Sequence, residues 1–271
     1  MLLISIFRKS IGFSKPDKQV YKIILLERAG SVNRNREDSS FSVTDCCCFF
    51  ILGQYNTEYI NRKQVHILEI GISLLLGYLL GVFNPAAVLA KKKNINLKET
   101  GTKNLGASNA LIVLGRSAGI LVMVLDIFKA FLASRLARLL FPKVAVAGLI
   151  AGFGAILGHV FPFHLHFQGG KGLAAFGGMA CAFEPWLLVF YLTVGVALML
   201  IFNRSVFLPM FGAVTFPLFV LYQTRDLGMT LVAAAASVLV AAKHWSNIGK
   251  VQRGEEAPVR DVFKKKIFKK D

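Results

Sequence analysis

From residue 66 onward the chain alternates long apolar runs with short polar breaks. Seven runs stand out, at 65–90, 118–141, 144–163, 173–183, 185–202, 206–222 and 227–243. A helix that crosses a bilayer needs about 20 mostly apolar residues, and inside lipid every backbone polar group has to pair within its own segment. The pattern therefore predicts an all-α, polytopic membrane protein with seven transmembrane helices. The third and fourth runs lie near the lower length limit. Composition agrees, with 55% hydrophobic residues, 17% charged and a mean hydropathy of +0.56, where soluble domains carry about a quarter charged residues.

The first 64 residues break this pattern, being polar and basic. Their one oily run, Cys46 to Leu52, is too short to cross a bilayer and too far from the start to be a secretory signal. They read as a disordered extension, or as translation from a start assigned too far upstream. The expected organisation is an extension over 1–64, a seven-helix domain over 65–257 and a solvated basic tail over 258–271, with Lys264, Lys265 and Lys266 in it. Cys46, Cys47 and Cys48 are contiguous and Cys181 lies in an apolar run, so neither a disulfide framework nor a zinc spacing is present. Reduced thiols and no metal are expected.

The net charge of +17 does not call for nucleic acid, because Lys and Arg crowd the breaks and the tail, where they set topology and meet anionic lipid. Lys91, Lys92, Lys93, Lys98, Lys103, Lys171 and Arg204 fall at one set of breaks, and Lys143 and Arg225 at the other. By the positive-inside tendency the first set and the C-terminus are cytoplasmic. The basic residues of 1–64 run against that assignment, since the start of the first span would then face outward.

This topology gathers three polar segments at one membrane face: 101–109, 168–172 and 243–247. A fourth element, Asp126 with Lys129, lies inside the second span, on one face of its helix. Charges there usually face the protein interior. Gly169, Gly170 and Gly172 around Lys171 offer backbone N–H groups beside a fixed ammonium, a combination that suits phosphate. The loop is not a nucleotide P-loop, since Leu165 and Gly172 stand where that motif needs glycine and a hydroxyl residue. His159, His164 and His166 have no accompanying carboxylate or cysteine, so His159 is given a packing or helix-end role. Amides, hydroxyls, cations and one histidine bind phosphate and stabilise an oxyanion. No Ser-His-Asp order supports a covalent acyl-enzyme.

These residues resemble the bacterial acyl-phosphate–glycerol-3-phosphate acyltransferases over about residues 68–257. Gly81 to Ala86 is similar to that family's Gly-Ser-Ile-Asn-Pro-Ala, and Thr102 to Asn109 to its Ser-Gly-Asn-x-Gly-x-(Ser/Thr)-Asn motif. Asp126 with Lys129-Ala130 resembles its Asp followed by Lys-Gly. Gly158–Pro162 with Phe167–Gly172 resembles Gly-His-x-Phe-Pro and Phe-Lys-Gly-Gly-Lys-Gly. Lys243–Ile248 with Gly254-Glu255-Glu256 resembles Arg-His-x-x-Asn-Ile and a later Gly-x-Glu. The chain departs from the pattern at Thr102, Lys103, Ile112, Ala130 and Gln168. Ile112 and Gln168 stand for an Arg and a Lys, and Lys103 and Arg116 are the candidate replacements.

The resemblance implies transfer of a fatty acyl chain from acyl phosphate to the 1-hydroxyl of glycerol 3-phosphate, giving lysophosphatidic acid and phosphate. Phosphate is already a good leaving group, so alignment of hydroxyl and carbonyl is the main task and no cofactor is implied. By the same resemblance Thr102, Asn104 and Ser108 would hydrogen-bond substrate oxygens, and His244 and Asn247 would orient the acceptor. Lys171 with the N–H groups of Gly169, Gly170 and Gly172 would hold a phosphate. Asn109 and Lys129 would shape the pocket or add charge. The implied setting is the bacterial plasma membrane, with membrane lipids and an enzyme that makes acyl phosphate as partners. The alternative is a catalytically impaired relative of the same fold that binds lipid phosphate.

Overall fold

The computed structural model describes residues 66–255 and 258–260, and all regular structure among them is helical. The expected extension over 1–64 and the tail beyond 260 lie outside the described residues. Helix α1 covers 66–81 and α2 covers Pro85–Lys92. The first apolar run is therefore broken at 82–84, where Asn84 caps α2 by accepting from the Ala87 N–H at 2.9 Å and Pro85 follows at the first helical position. Helix α3, Ala107–Val113, lies in what the sequence suggested was a loop. Gly115, with a φ of 100° open only to glycine, turns the chain into α4, Arg116–Leu140.

Helix α5 covers Ala147–Val160 and α6 Leu173–Phe183. Helix α7, Trp186–Ile201, widens into a π turn over Tyr191–Gly195. Helix α8 is Phe207–Thr224 and α9 Leu227–Gln252. Asp226 caps α9 through the Met229 N–H.

These segments fall where the apolar runs predicted them. Four are long and apolar enough to cross a membrane: His66–Lys92, Ala147–Leu165, Phe207–Thr224 and Leu227–Gln252. Helix α4 has 25 residues but carries Asp126, Lys129 and three arginines. Helices α6 and α7 are shorter than a full crossing. At 258–260 Val259 is buried, while Pro258 and Arg260 are exposed and Arg260 donates to the Leu200 and Ile201 carbonyls at the end of α7.

The interior is built of small residues, among them Ala130, Ala133, Ala151, Ala155, Ala180 and Ala236, all fully buried. Large apolar side chains such as Leu79, Phe128, Val189, Leu218 and Val238 are exposed. That is the arrangement of a protein whose outer solvent is hydrocarbon, where helices associate by close backbone contact rather than by hydrophobic exclusion. Helices α1 and α5 show how close. A Cβ on Gly77 or Gly81 would overlap the carbonyl oxygens of Ala151 and Ala155, and one on Gly154 or Gly158 would overlap those of Leu74 and Tyr78. Two Gly-x-x-x-Gly stripes thus interlock, and Tyr78 Oη closes the end by donating to the Phe161 carbonyl at 2.9 Å.

The segment before α3 is wound around one buried side chain. Asn109 Nδ2 donates to the Leu97, Thr100 and Asn104 carbonyls at 2.9, 3.1 and 2.9 Å, and its Oδ1 accepts from the Thr102 N–H at 2.7 Å.

Two outcomes follow from this packing. Gly81→Leu forces its side chain into the Ala155 carbonyl, and overpacking of about 1–3 kcal/mol lowers the thermal midpoint in detergent. Gly71→Leu, at a position with nothing within 4 Å of the added Cβ, leaves it unchanged. Equal midpoints for the two variants contradict the interlock. Asn109→Asp sets a carboxylate oxygen against three carbonyls, so the loop opens and trypsin cleaves at Lys98 and Lys103 about tenfold faster. Cleavage at the parent rate contradicts the loop's dependence on Asn109.

Candidate functional site

Asp126 and Lys129 face inward from α4, at 1% and 5% exposure, and meet His159 of α5, at 3%. Lys129 Nζ lies 2.8 Å from Asp126 Oδ1, donates to the Phe83 carbonyl at 2.7 Å and reaches His159 Nδ1 at 3.0 Å. Asp126 Oδ1 is also 3.2 Å from His159 Nδ1. The Asp126 contacts are charge contacts lying off the hydrogen-bond line. Lys129 Nζ thus has three protein neighbours within 3.0 Å: the Phe83 carbonyl, His159 Nδ1 and the Asp126 carboxylate. Lys129 is enclosed by protein groups, an environment in which its part would be to shape the pocket or add charge. The sequence paired it with Asp126 through their spacing but could not supply His159, thirty residues on.

The glycine loop differs from its expected role. The Gly169 N–H donates to the Val160 carbonyl at 3.0 Å and the Gly170 N–H to the His159 carbonyl at 3.1 Å. These two amides are spent inside the protein. Their lack of side chains serves close approach instead, since a Cβ on Gly169 would overlap the His159 carbonyl and one on Gly170 the His159 ring. Gly172, at φ 84°, turns the chain into α6 without a side-chain cap. The first-turn N–H groups of α6 have no intrahelical acceptor and carry the positive end of the helix dipole. Beside them Lys171 Nζ donates to Asn247 Oδ1 on α9.

His244 and Asn247 share α9, which runs nine residues past the end predicted for the seventh span. His244 is buried and its Nδ1 lies 2.8 Å from the Val240 carbonyl. A carbonyl only accepts, so Nδ1 carries the proton and Nε2 of the neutral ring keeps its lone pair. Lys243 Nζ sits 4.3 Å from the centre of the Phe161 ring, holding this end of α9 against the start of the glycine loop. Just past α9, Arg253 grips the Glu255 carboxylate at 2.8 and 3.0 Å. That hydrogen bond, with the guanidinium charge, holds the Glu255 carboxyl below the usual carboxylate range.

The first polar segment is tied in by a residue the sequence did not single out. Lys98 Nζ donates to the Leu165 carbonyl at 3.2 Å and to Gln168 Oε1 at 3.3 Å. It thereby brings a cation to the position where the family pattern has a lysine and this chain has Gln168. The only sequence signal was its place a few residues before the 101–109 motif. Asn84 Nδ2 adds a bond to the Leu105 carbonyl at 3.3 Å. Thr102 and Ser108 are exposed and Asn104 half-buried on this segment. Asn109, fully occupied by the loop, shapes it. Lys98 joins the first segment to the second, and Lys171 joins the second to the third.

A family model described as glycerol-3-phosphate acyltransferase matches residues 71–254. Glycerol-3-phosphate acyltransferases of Staphylococcus aureus strains bovine RF122 / ET3-1 and Newman are 36% and 34% identical to this chain over 204 residues, 70% of this chain and 97% of each of those proteins. Among solved structures, the glycerol 3-phosphate form of PlsY (YgiH), an integral membrane glycerol 3-phosphate acyltransferase, is similar with a TM-score of 0.67 at 26% identity. It covers 74% of this chain and 99% of that one. The lysophosphatidic acid form of the same protein gives 0.65 at 26% identity, with 72% and 98% covered. With a matched region that takes in α2 to α9 and relatives spanned almost end to end, this chain belongs to the glycerol-3-phosphate acyltransferase family.

Proposed function

We propose that this chain transfers a fatty acyl group from acyl phosphate to the 1-hydroxyl of glycerol 3-phosphate, releasing lysophosphatidic acid and phosphate as a step of phospholipid synthesis. The observation that carries the reading is the Lys171–Asn247 bond beside the opening of α6. It sets a cation, a helix N-terminus and the His244 face of α9 side by side, which is what a phosphate substrate with a nearby hydroxyl needs.

In this reading Lys171, the Gly172 turn and the first-turn amides of α6 hold a phosphate. Asn247 exchanges its bond to Lys171 for one to the acceptor. Thr102, Asn104 and Ser108 hydrogen-bond substrate oxygens from the first segment. The acceptor hydroxyl attacks the acyl carbonyl, the carbonyl–phosphate C–O bond breaks and phosphate leaves. The hydroxyl proton goes to His244 Nε2 or to a phosphate oxygen of the substrate. The acyl chain lies along the apolar helices. We place this rim at the cytoplasmic face of a seven-span bundle in the bacterial plasma membrane, with the C-terminus cytoplasmic. The support is the clustering of Lys91, Lys92, Lys93, Lys98 and Lys103 in the one break between the first and second apolar runs. An enzyme that makes acyl phosphate would supply the donor.

The test is phosphate release by the purified chain in lipid, supplied with palmitoyl phosphate and glycerol 3-phosphate. Release is expected, and Lys171→Ala lowers kcat/KM about 100-fold or more. His244→Gln lowers kcat by roughly 10²–10⁴ if the imidazole takes the proton, and by far less if substrate phosphate does. No release from the parent beside an active relative contradicts the proposal.

A further inference from the structure

Two loops of the site rest on the buried cluster under α4, and the path can be followed bond by bond. Lys129 Nζ holds the Phe83 carbonyl, in the break between α1 and α2. The next residue, Asn84, caps α2 with its Oδ1 and with its Nδ2 holds the Leu105 carbonyl of the first polar segment. On its other side Lys129 Nζ holds His159 Nδ1. His159 Nδ1 faces both Lys129 Nζ and Asp126 Oδ1, at 3.0 and 3.2 Å, and Nε2 lies on the opposite edge of the ring. That edge of the ring lies directly under Gly170, whose absent Cβ would meet both the His159 ring and the Leu105 carbonyl. The His159 carbonyl takes the Gly170 N–H as well. The first segment and the glycine loop therefore converge on Gly170, above the His159 ring, and both trace back to one ammonium.

A buried ion pair is a weak source of stability, because desolvation takes back much of the Coulombic gain. The pair here sits in an interior of alanine and glycine that small apolar residues could have filled. We infer that Asp126, Lys129 and His159 form a positioning unit that fixes the first polar segment and the glycine loop relative to each other, so that both meet one phosphate-bearing substrate. Asp126 keeps Lys129 charged and aimed. Lys129 sets the His159 ring, and His159 sets the height of Gly169 and Gly170, which leads Lys171 and Gly172 to the opening of α6. None of the three touches substrate. The kinetic half of this inference rests on the acyl-transfer reading; the structural half does not.

The experiment compares the parent with Asp126→Asn/Lys129→Met, His159→Ala and His159→Gln in one membrane mimic. Three quantities are measured: the thermal midpoint, hydrogen–deuterium exchange over residues 100–106 and 163–172, and KM with kcat for both phosphate substrates. The double variant removes both charges together, so no lone buried charge is left and its midpoint stays near the parent's. Exchange in both segments is expected to rise about tenfold while α8 is unchanged. The KM for at least one phosphate substrate rises about tenfold with kcat within threefold. His159→Gln, whose amide oxygen can still accept from Lys129, is expected to lie between His159→Ala and the parent. If His159→Ala fails to fold, His159→Gln and the double variant decide.

Folded variants with parental exchange and parental KM overturn the inference, as does a fall in kcat at constant KM. If the parent turns over no substrate, the acyl-transfer reading fails and the exchange data alone judge the positioning unit.

Discussion

An ammonium at 5% exposure, surrounded by alanine and glycine, has to be met on every side. Lys129 is met by a carboxylate from its own helix, a main-chain carbonyl from the break between α1 and α2 and an imidazole nitrogen from α5. Burying each ion costs several kcal/mol. The compensation lies in the fixed positions of these three neighbours, since moving α1, α4 or α5 relative to the others leaves a charge or a donor unmet. The rim is built on that constraint. Asn84 and Leu105 stand on the Phe83 side, and Gly169 and Gly170 on the His159 side.

Such a unit needs helices close enough to share one ammonium. The interlocked glycines of α1 and α5 supply that closeness by removing every side chain from the line of contact. Large apolar side chains are then left to the outer surface, where hydrocarbon rather than water would meet them. Among the described residues, polar contacts gather in the interior charge cluster and at the rim where Lys98, Lys171 and Lys243 are held. At that rim the groups are mostly neutral donors and cations. Lys98 and Lys243 rest on neutral partners, carbonyl and amide oxygens for the first and an aromatic face for the second, and Lys171 donates to the Asn247 amide oxygen. A neutral partner holds a lysine in place without cancelling its charge, which suits a site that has to attract phosphate.

The apolar runs made the helical segments legible, because lipid imposes length and composition on each of them. The break at 82–84 was visible as Asn84-Pro85, although the run around it was read as one span. Helix α3 was hidden, since Gly106, Ser108 and Asn109 carry the same local signal as a turn. The glycine loop shows the limit most clearly. Glycine serves either an exposed amide or a close approach, and only the partner in space separates the two; for Gly169 and Gly170 that partner is His159. The contacts of Lys98 and His159 were not legible for the same reason, as their partners lie 70 and 30 residues away in the chain. The grouping of the three polar segments at one rim, by contrast, followed from counting spans and cations.

The claim on which the functional reading turns is that a substrate phosphate settles between Lys171 and the opening of α6. A structure determined with glycerol 3-phosphate bound measures this directly. The account predicts phosphate oxygens within hydrogen-bonding reach of Lys171 Nζ and the first-turn amides of α6, with Lys129 still enclosed by Asp126, Phe83 and His159. A phosphate bound away from Lys171, or one that draws Lys129 out of its cluster, contradicts it.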